Sequence, residues 1–322
     1  LGQVCYYRTT TKPNNNSLSL GSLGLPDWHL LTQTGITDAV RTRGLATIGG
    51  KGEVLKMASE YLETIHTWFP VIQPTRYYQQ MAVVWSQPRP DLGLQALATF
   101  LLTCTPENEK LTSQTLSLYT FVKSIIGALE STGVNTLELI HVRLLLAIFE
   151  AGHGIIHAAY ISIGATIRAA AALGFDNIHT NQAVLECLDP PINVEDAKQT
   201  WRGIMCIDNT SITLFVFWAN LQRPNNDSCV FSAEAFLASA VEDILDHFQH
   251  LEYKHSAVAL DSLPIFVSQS IFKAAVVLTH ELKYTSRLDV RKSLMSCKVM
   301  LKRISKRWLV GKQYLEYLET DQ

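Results

Sequence analysis

KQTWRGIMCIDNTSITLFVFWANLQRP, residues 198–224, decides how this chain folds. Ala197, Trp201, Ile204, Ile207 and Ser211 recur every three or four residues, and Leu214, Phe215 and Trp218 continue the stripe. That period is one buried face of a helix of about six turns, over about 194–218. Asn193 caps its start, because a side-chain oxygen there accepts from the orphan N–H groups of the first turn. Pro224 cannot continue a helix and closes the unit. Asp208 lies beside the stripe, where a carboxylate is costly unless paired.

The same period repeats on both sides. Upstream, Val54, Leu55, Ala58, Tyr61, Leu62, Ile65 and Phe69 form one face that Pro70 stops. Further helices are expected over about 91–104, 112–132, 136–150 and 155–173, the last ended by Gly174 just past its C-terminus. Downstream, Ser232 caps a helix whose apolar face runs from Ala233 through Phe236 and Ile244 to Leu251. Two more helices follow near residues 264–286 and 289–319. In the last, Val290, Leu294, Cys297, Leu301, Ile304, Trp308, Leu315 and Leu318 have the three-four spacing of a coiled-coil-like seam. No alternating stretch of strand length competes. The expected fold is all-α, a large irregular bundle of antiparallel helices over residues 53–322. Residues 1–52 read as a flexible linker, because RTTTKPNNNSLSLGSLGLPDW (residues 8–28) buries little apolar surface and GGKG (Gly49–Gly52) ends the segment.

Composition limits the function. The 322 residues are 47% hydrophobic, enough for a large core, with 17% charged residues and a net charge of −2. That balance excludes a free-standing nucleic-acid binder that relies on bulk positive charge. Cys5, Cys104, Cys187, Cys206, Cys229 and Cys297 include no CxxC pair, so neither a zinc site nor a disulfide framework is legible. The apolar-leaning run Ala151–Ile167 is short and holds His153, Gly154 and His157, so no membrane span is expected.

Four segments, in order, resemble the middle homology region of fungal zinc-cluster (Zn2Cys6) transcription factors. YLETIHTWFPVI (Tyr61–Ile72) is similar to its opening, with Tyr61, His66, Phe69 and Pro70 in place. HAAYISIGATIRAAAALGFD (His157–Asp176) resembles its Ala-rich helix. The long helix carries Trp, then aliphatic-Asp, then Leu-x-Arg-Pro, with Arg202, Asn209 and Gln222 departing from the family's pattern. LKRISKRWLVGKQYLEYLE is similar to the Trp-bearing helix that often follows. The resemblance implies a regulatory domain of a nuclear DNA-binding protein that controls metabolic genes. It gives Cys5 the place of the last zinc-cluster ligand, with the other cysteines, the zinc and the DNA contact lying in a module upstream of this chain. Partners implied are a small-molecule effector, a second copy of the chain and the transcription machinery.

Other constellations have plainer readings. His153 and His157, four apart with His141 upstream, match a metal-binding helix in spacing, but Gly154 weakens that helix and no Glu follows. EDILD (Glu242–Asp246) resembles the Mg²⁺ motif of terpene cyclases, although its carboxylates also fall on the polar side of an amphipathic helix. An all-α Mg²⁺-dependent enzyme of that kind, or a headless partner-binding helical protein, is therefore the alternative. Arg287, Arg291, Lys292, Lys298, Lys302, Arg303, Lys306, Arg307 and Lys312 make the last helices basic, either a solvated face or a surface for phosphate or an acidic partner. His66, Trp68 and Phe69, together with Trp201, Phe215 and Trp218, are candidates to line a ligand pocket between helices. No phosphate loop, nucleophile elbow or catalytic pairing is present, so no catalytic residue is expected.

Overall fold

The computed structural model describes residues 32–87, 89–178, 180–188, 191–221, 264–284 and 287–320, with the backbone alone at 33, at 182 and over 210–221. Cys5, Glu242–Asp246 and the helix expected after Ser232 lie outside the described residues. The helices are α1 (Gln33–Thr47), α2 (Lys51–Glu63), α3 (Ile65–Trp68), α4 (Pro74–Met81), α5 (Pro90–Thr103), α6 (Ser113–Ser131) and α7 (Leu137–Gly152). They continue as α8 (Ile156–Ala172), α9 (Gln182–Cys187), α10 (Val194–Leu221), α11 (Ile265–Tyr284), α12 (Leu288–Ile304) and α13 (Val310–Thr320). Among the described residues there is no strand, only an isolated bridge between Glu107 and Lys110. The fold is all-α.

Every residue of α7 is buried, and so is most of α5. Buried nearly all round, these two helices pack together at the centre. Helices α1, α2 and α6 flank α5, while α8, α10 and α11 surround α7. Caps set the boundaries where expected. Asn193 Oδ1 accepts from Glu195 N–H at 2.7 Å. Thr112 and Thr136 accept from the third residues of α6 and α7. Gly174 has φ of +84°, the left-handed conformation that lets the chain leave α8.

Polar groups on α7 are held by partners on other elements. Glu138, in its first turn, pairs with Arg76 at 2.5 Å and accepts from Gln80 at 3.0 Å. Arg89 approaches its other oxygen at 3.1 Å, close enough to attract but not aligned as a hydrogen bond. Arg76 also reaches Asp196 in the first turn of α10 at 3.2 Å, and Arg89 holds Asp91 in the first turn of α5 at 2.6 Å. Burial pushes the Glu138 carboxyl up, but Arg89 and Arg76 outweigh it and bring its pKa below the usual value. At the far end of α7, Tyr119 and Lys123 both reach Glu150 Oε1, at 2.7 and 3.0 Å.

Three expectations need correction. Residues 33–47, read as linker, form α1. Thr32 caps it, Ile36 and Val40 are buried, and Gly44 faces the Trp85 indole so closely that a Cβ there would lie 2.0 Å from the ring. Gly44 is therefore a packing residue and not a loop signal. The face from Val54 to Phe69 is buried as expected, but the helix breaks at Thr64 into α2 and α3. The expected helix over 289–319 is two helices. Between them Trp308 turns inward, fully buried against Gly152 and His153, while Arg307 donates to the carbonyls of Leu102 and Cys104 at the end of α5. Burying a Trp and capping a helix end with a cation outweigh helical continuity there.

Two variants test this core. Glu138→Ala removes the shared carboxylate of two arginines. The expected loss is about 3 kcal/mol, the low end for breaking a buried pair, since each arginine keeps a second carboxylate and some solvent. Urea unfolding measures it. His153, wedged between Phe149 and Trp308, has both ring nitrogens unpartnered. Burial first, then Arg307, lowers its pKa to about 3, and burial lowers that of His141 to about 4. The unfolded chain takes up both protons near pH 6.5. Their contribution is therefore fully present above about pH 6.5 and declines as pH falls toward 4 and 3. His153→Phe should lose less stability than the parent between pH 7 and pH 5, read by thermal melts at each pH.

Candidate functional site

Of the sequence candidates, Phe69 meets α10, the helix that carries Trp201. Phe69 and Val71 leave α3 and pack on α10 where Gly203 has no side chain. A Cβ on Gly203 would lie 2.2 Å from Val71 and 3.3 Å from Phe69. Gln199, one turn earlier, donates its side-chain amide to the carbonyl of Pro70. The two sequence segments that decided the reading thus touch through a small residue that neither pattern singled out. Phe69 is 3% exposed and Trp201 is half-buried against the core. Trp68 points elsewhere, edge-on to Phe266 of α11 with ring centres 5.7 Å apart. His66 lies 6.0 Å from the Tyr61 ring, and burial lowers its pKa. His66 Nδ1 and Trp68 Nε1 are both buried without a partner. The side chains of Phe215 and Trp218 lie outside the described residues.

A separate site lies at the end of α5. A cavity of 610 Å³ opens between α1, the end of α2, the end of α5 and the start of α6. Thr47, Thr103, Thr105, Thr112 and Thr115 give it a rim of hydroxyls, and Phe100 and Leu118 give it an apolar floor. Arg43 forms one wall. Its Nη2 donates to Ser117 at 3.1 Å, its Nε is buried and unpartnered, and its guanidinium lies 5.9 Å from the Phe121 ring. Glu60 and Glu107 stand on other walls. Cys104 ends α5 within the cavity. Burial raises its thiol pKa, against opposing effects of the Thr115 hydrogen bond and Arg307. A protonated thiol with no imidazole in the lining is not an activated nucleophile. Hydroxyls, one guanidinium and two carboxylates suit the binding of a polar small molecule. Sequence periodicity could not find this site, because its residues come from four helices and the loop after α5, many of them polar residues near helix ends.

The histidines do not form a metal site. Helix α7 ends at Gly152, and Gly154 takes φ of +73°, so His153 and exposed His157 sit on different elements. Among the described residues no three His, Cys, Asp or Glu side chains gather as a ligand set. The basic residues of the last helices divide. Arg287 pairs with Asp289 at 2.5 Å and Glu281 at 3.7 Å, Lys312 pairs with Glu109 at 2.6 Å, and Arg307 is buried. Helix α11 is long and apolar enough over Ile265–Lys283 to cross a membrane, but half of that stretch is buried inside the bundle.

The chain is similar to transcription factor BOA15 of Botryotinia fuckeliana (strain B05.10), with 32% identity over 119 residues. The shared stretch covers 37% of this chain and 65% of that protein. No family model and no solved structure matches the chain. The chain therefore spans just under two thirds of that relative's length.

The cavity can be followed through its thiol. In the native chain, maleimide should modify exposed Cys187 well before Cys104, as read by peptide mass mapping. A small molecule seated against Arg43 and Thr115 should slow Cys104 modification further and leave Cys187 unchanged.

Proposed function

We propose that this chain is the regulatory, middle-homology domain of a fungal zinc-cluster transcription factor acting in the nucleus on metabolic or secondary-metabolite genes. The observation that carries this reading is the 32% match to a fungal transcription factor. The all-helical fold and the junction of Phe69 and Val71 with Gly203 agree with it, since they join two of the segments that resemble the family. In this reading the chain is not an enzyme. DNA is held by an upstream zinc cluster to which Cys5 contributes the last thiolate. The helical body sets activity in response to a small polar effector, seated in the cavity beside Arg43.

The charge supports this division of labour. Net −2 gives little counterion release on duplex DNA, so specific binding needs the upstream module. Residues 1–322 alone should bind duplex weakly and without sequence preference, and hold no stoichiometric zinc. A longer product that includes the upstream coding sequence should gain both. Gel-shift titration at physiological salt and metal analysis of the two lengths make the comparison. Tight sequence-specific binding by residues 1–322 without zinc would overturn the proposal, as would an upstream sequence with no cysteine cluster.

A further inference from the structure

The outward face of α12 carries a pattern that neither the core nor the cavity uses. Leu288, Met295 and Val299 are 67%, 63% and 48% exposed. At 100° per residue they lie within about 40° of one another, a single apolar ridge about 16 Å long. Arg291 and Lys298 flank the ridge on one side and Lys292 on the other. None of these three has a carboxylate partner among the described residues, whereas the neighbouring Arg287 and Lys312 do. The acid of this helix, Asp289, is turned to Arg287. Beside the ridge, a groove of 400 Å³ runs between α11 and α12. Leu282, Leu294 and Met295 floor it, and Lys283, Arg291 and Lys298 rim it.

We propose that this groove and ridge form a docking site for an acidic amphipathic helix of a partner protein. Three features select that occupant. The rim is cationic, so carboxylates flanking the partner's apolar stripe find complementary charge. The floor is apolar and lies in a concave seam between two helices, which accepts a third helix packed ridge into groove. The exposed ridge covers about three helical turns, longer than a small metabolite needs. A nucleic-acid backbone would use the lysines but leave the ridge in water, and a flat membrane would not enter the seam. The inference stands on these contacts and does not depend on the function proposed above.

The test uses the full 322-residue chain and a fluorescent 18-residue designed helix with leucines on one face and glutamates beside them. Fluorescence anisotropy should show saturable binding that weakens with salt. Arg291→Glu with Lys298→Glu should weaken it at least tenfold, and Met295→Gln should weaken it more than twofold without changing the charge beside the rim. Lys56→Glu, on the exposed face of α2, should leave it unchanged, and circular dichroism checks that each variant is folded. The same peptide with lysines in place of glutamates should not bind. The proposal fails if the acidic helix does not bind, or if both α12 variants bind it within twofold of the parent. It fails equally if the lysine peptide binds as well. Capture by phosphatidylserine vesicles or a duplex, but not by the acidic helix, would assign the face to a membrane or to nucleic acid instead.

Discussion

Three helix starts share two arginines. Asp91, Glu138 and Asp196 each sit in the first turn of a helix, where the helix dipole favours an acid. Glu138 is nearly inaccessible, because α7 is surrounded on all sides, and a buried carboxylate without a counter-charge would be untenable. Arg76 joins it to Asp196, and Arg89 joins it to Asp91. Helices α4, α5, α7 and α10 are therefore fixed by one charge lattice, and the orientation of the central helix follows. Thr136 Oγ1 donates to Asp91 at 2.9 Å and ties the start of α7 to that of α5 a second time.

The other end of α7 receives the last three helices. Trp308 closes on Gly152 and His153, and Phe272 stacks on Tyr314 at 4.1 Å, almost parallel. Arg307, in the same turn, donates to the Cys104 carbonyl at 3.2 Å. One turn thus sits between the cavity that ends at Cys104 and the basic outward face of α12. The end of α5 is hydrogen-bonded to that turn through the Cys104 carbonyl.

Much of the helical order was legible in the sequence. The apolar periods of α5, α6, α7, α8, α10 and α11 place those helices within a few residues of their ends, because caps such as Asn193 and Gly174 act locally. Helix α1 was hidden because its glycines and threonines match a linker in composition, and only the Trp85 ring shows why Gly44 is small. The break near Trp308 was hidden because the three-four spacing continues through it. The cavity was not legible at all, and of the pocket candidates Phe69 alone is seen to meet α10, through Gly203.

The sequence by itself determined that this chain is helical, which faces are apolar and where most helices begin, since period and capping are properties of neighbouring residues. It also carried the resemblance that pointed to a transcription regulator. Tertiary structure decided which carboxylate each arginine serves, that Gly44, Gly152 and Gly203 are contact points, and that Arg307 leaves the basic row to cap α5. Those outcomes depend on groups up to 205 residues apart, as Arg307 and Leu102 are. Burial and charge pairing at such separations are settled only when the helices pack, because the cost of an unpaired buried group exists only once water is gone.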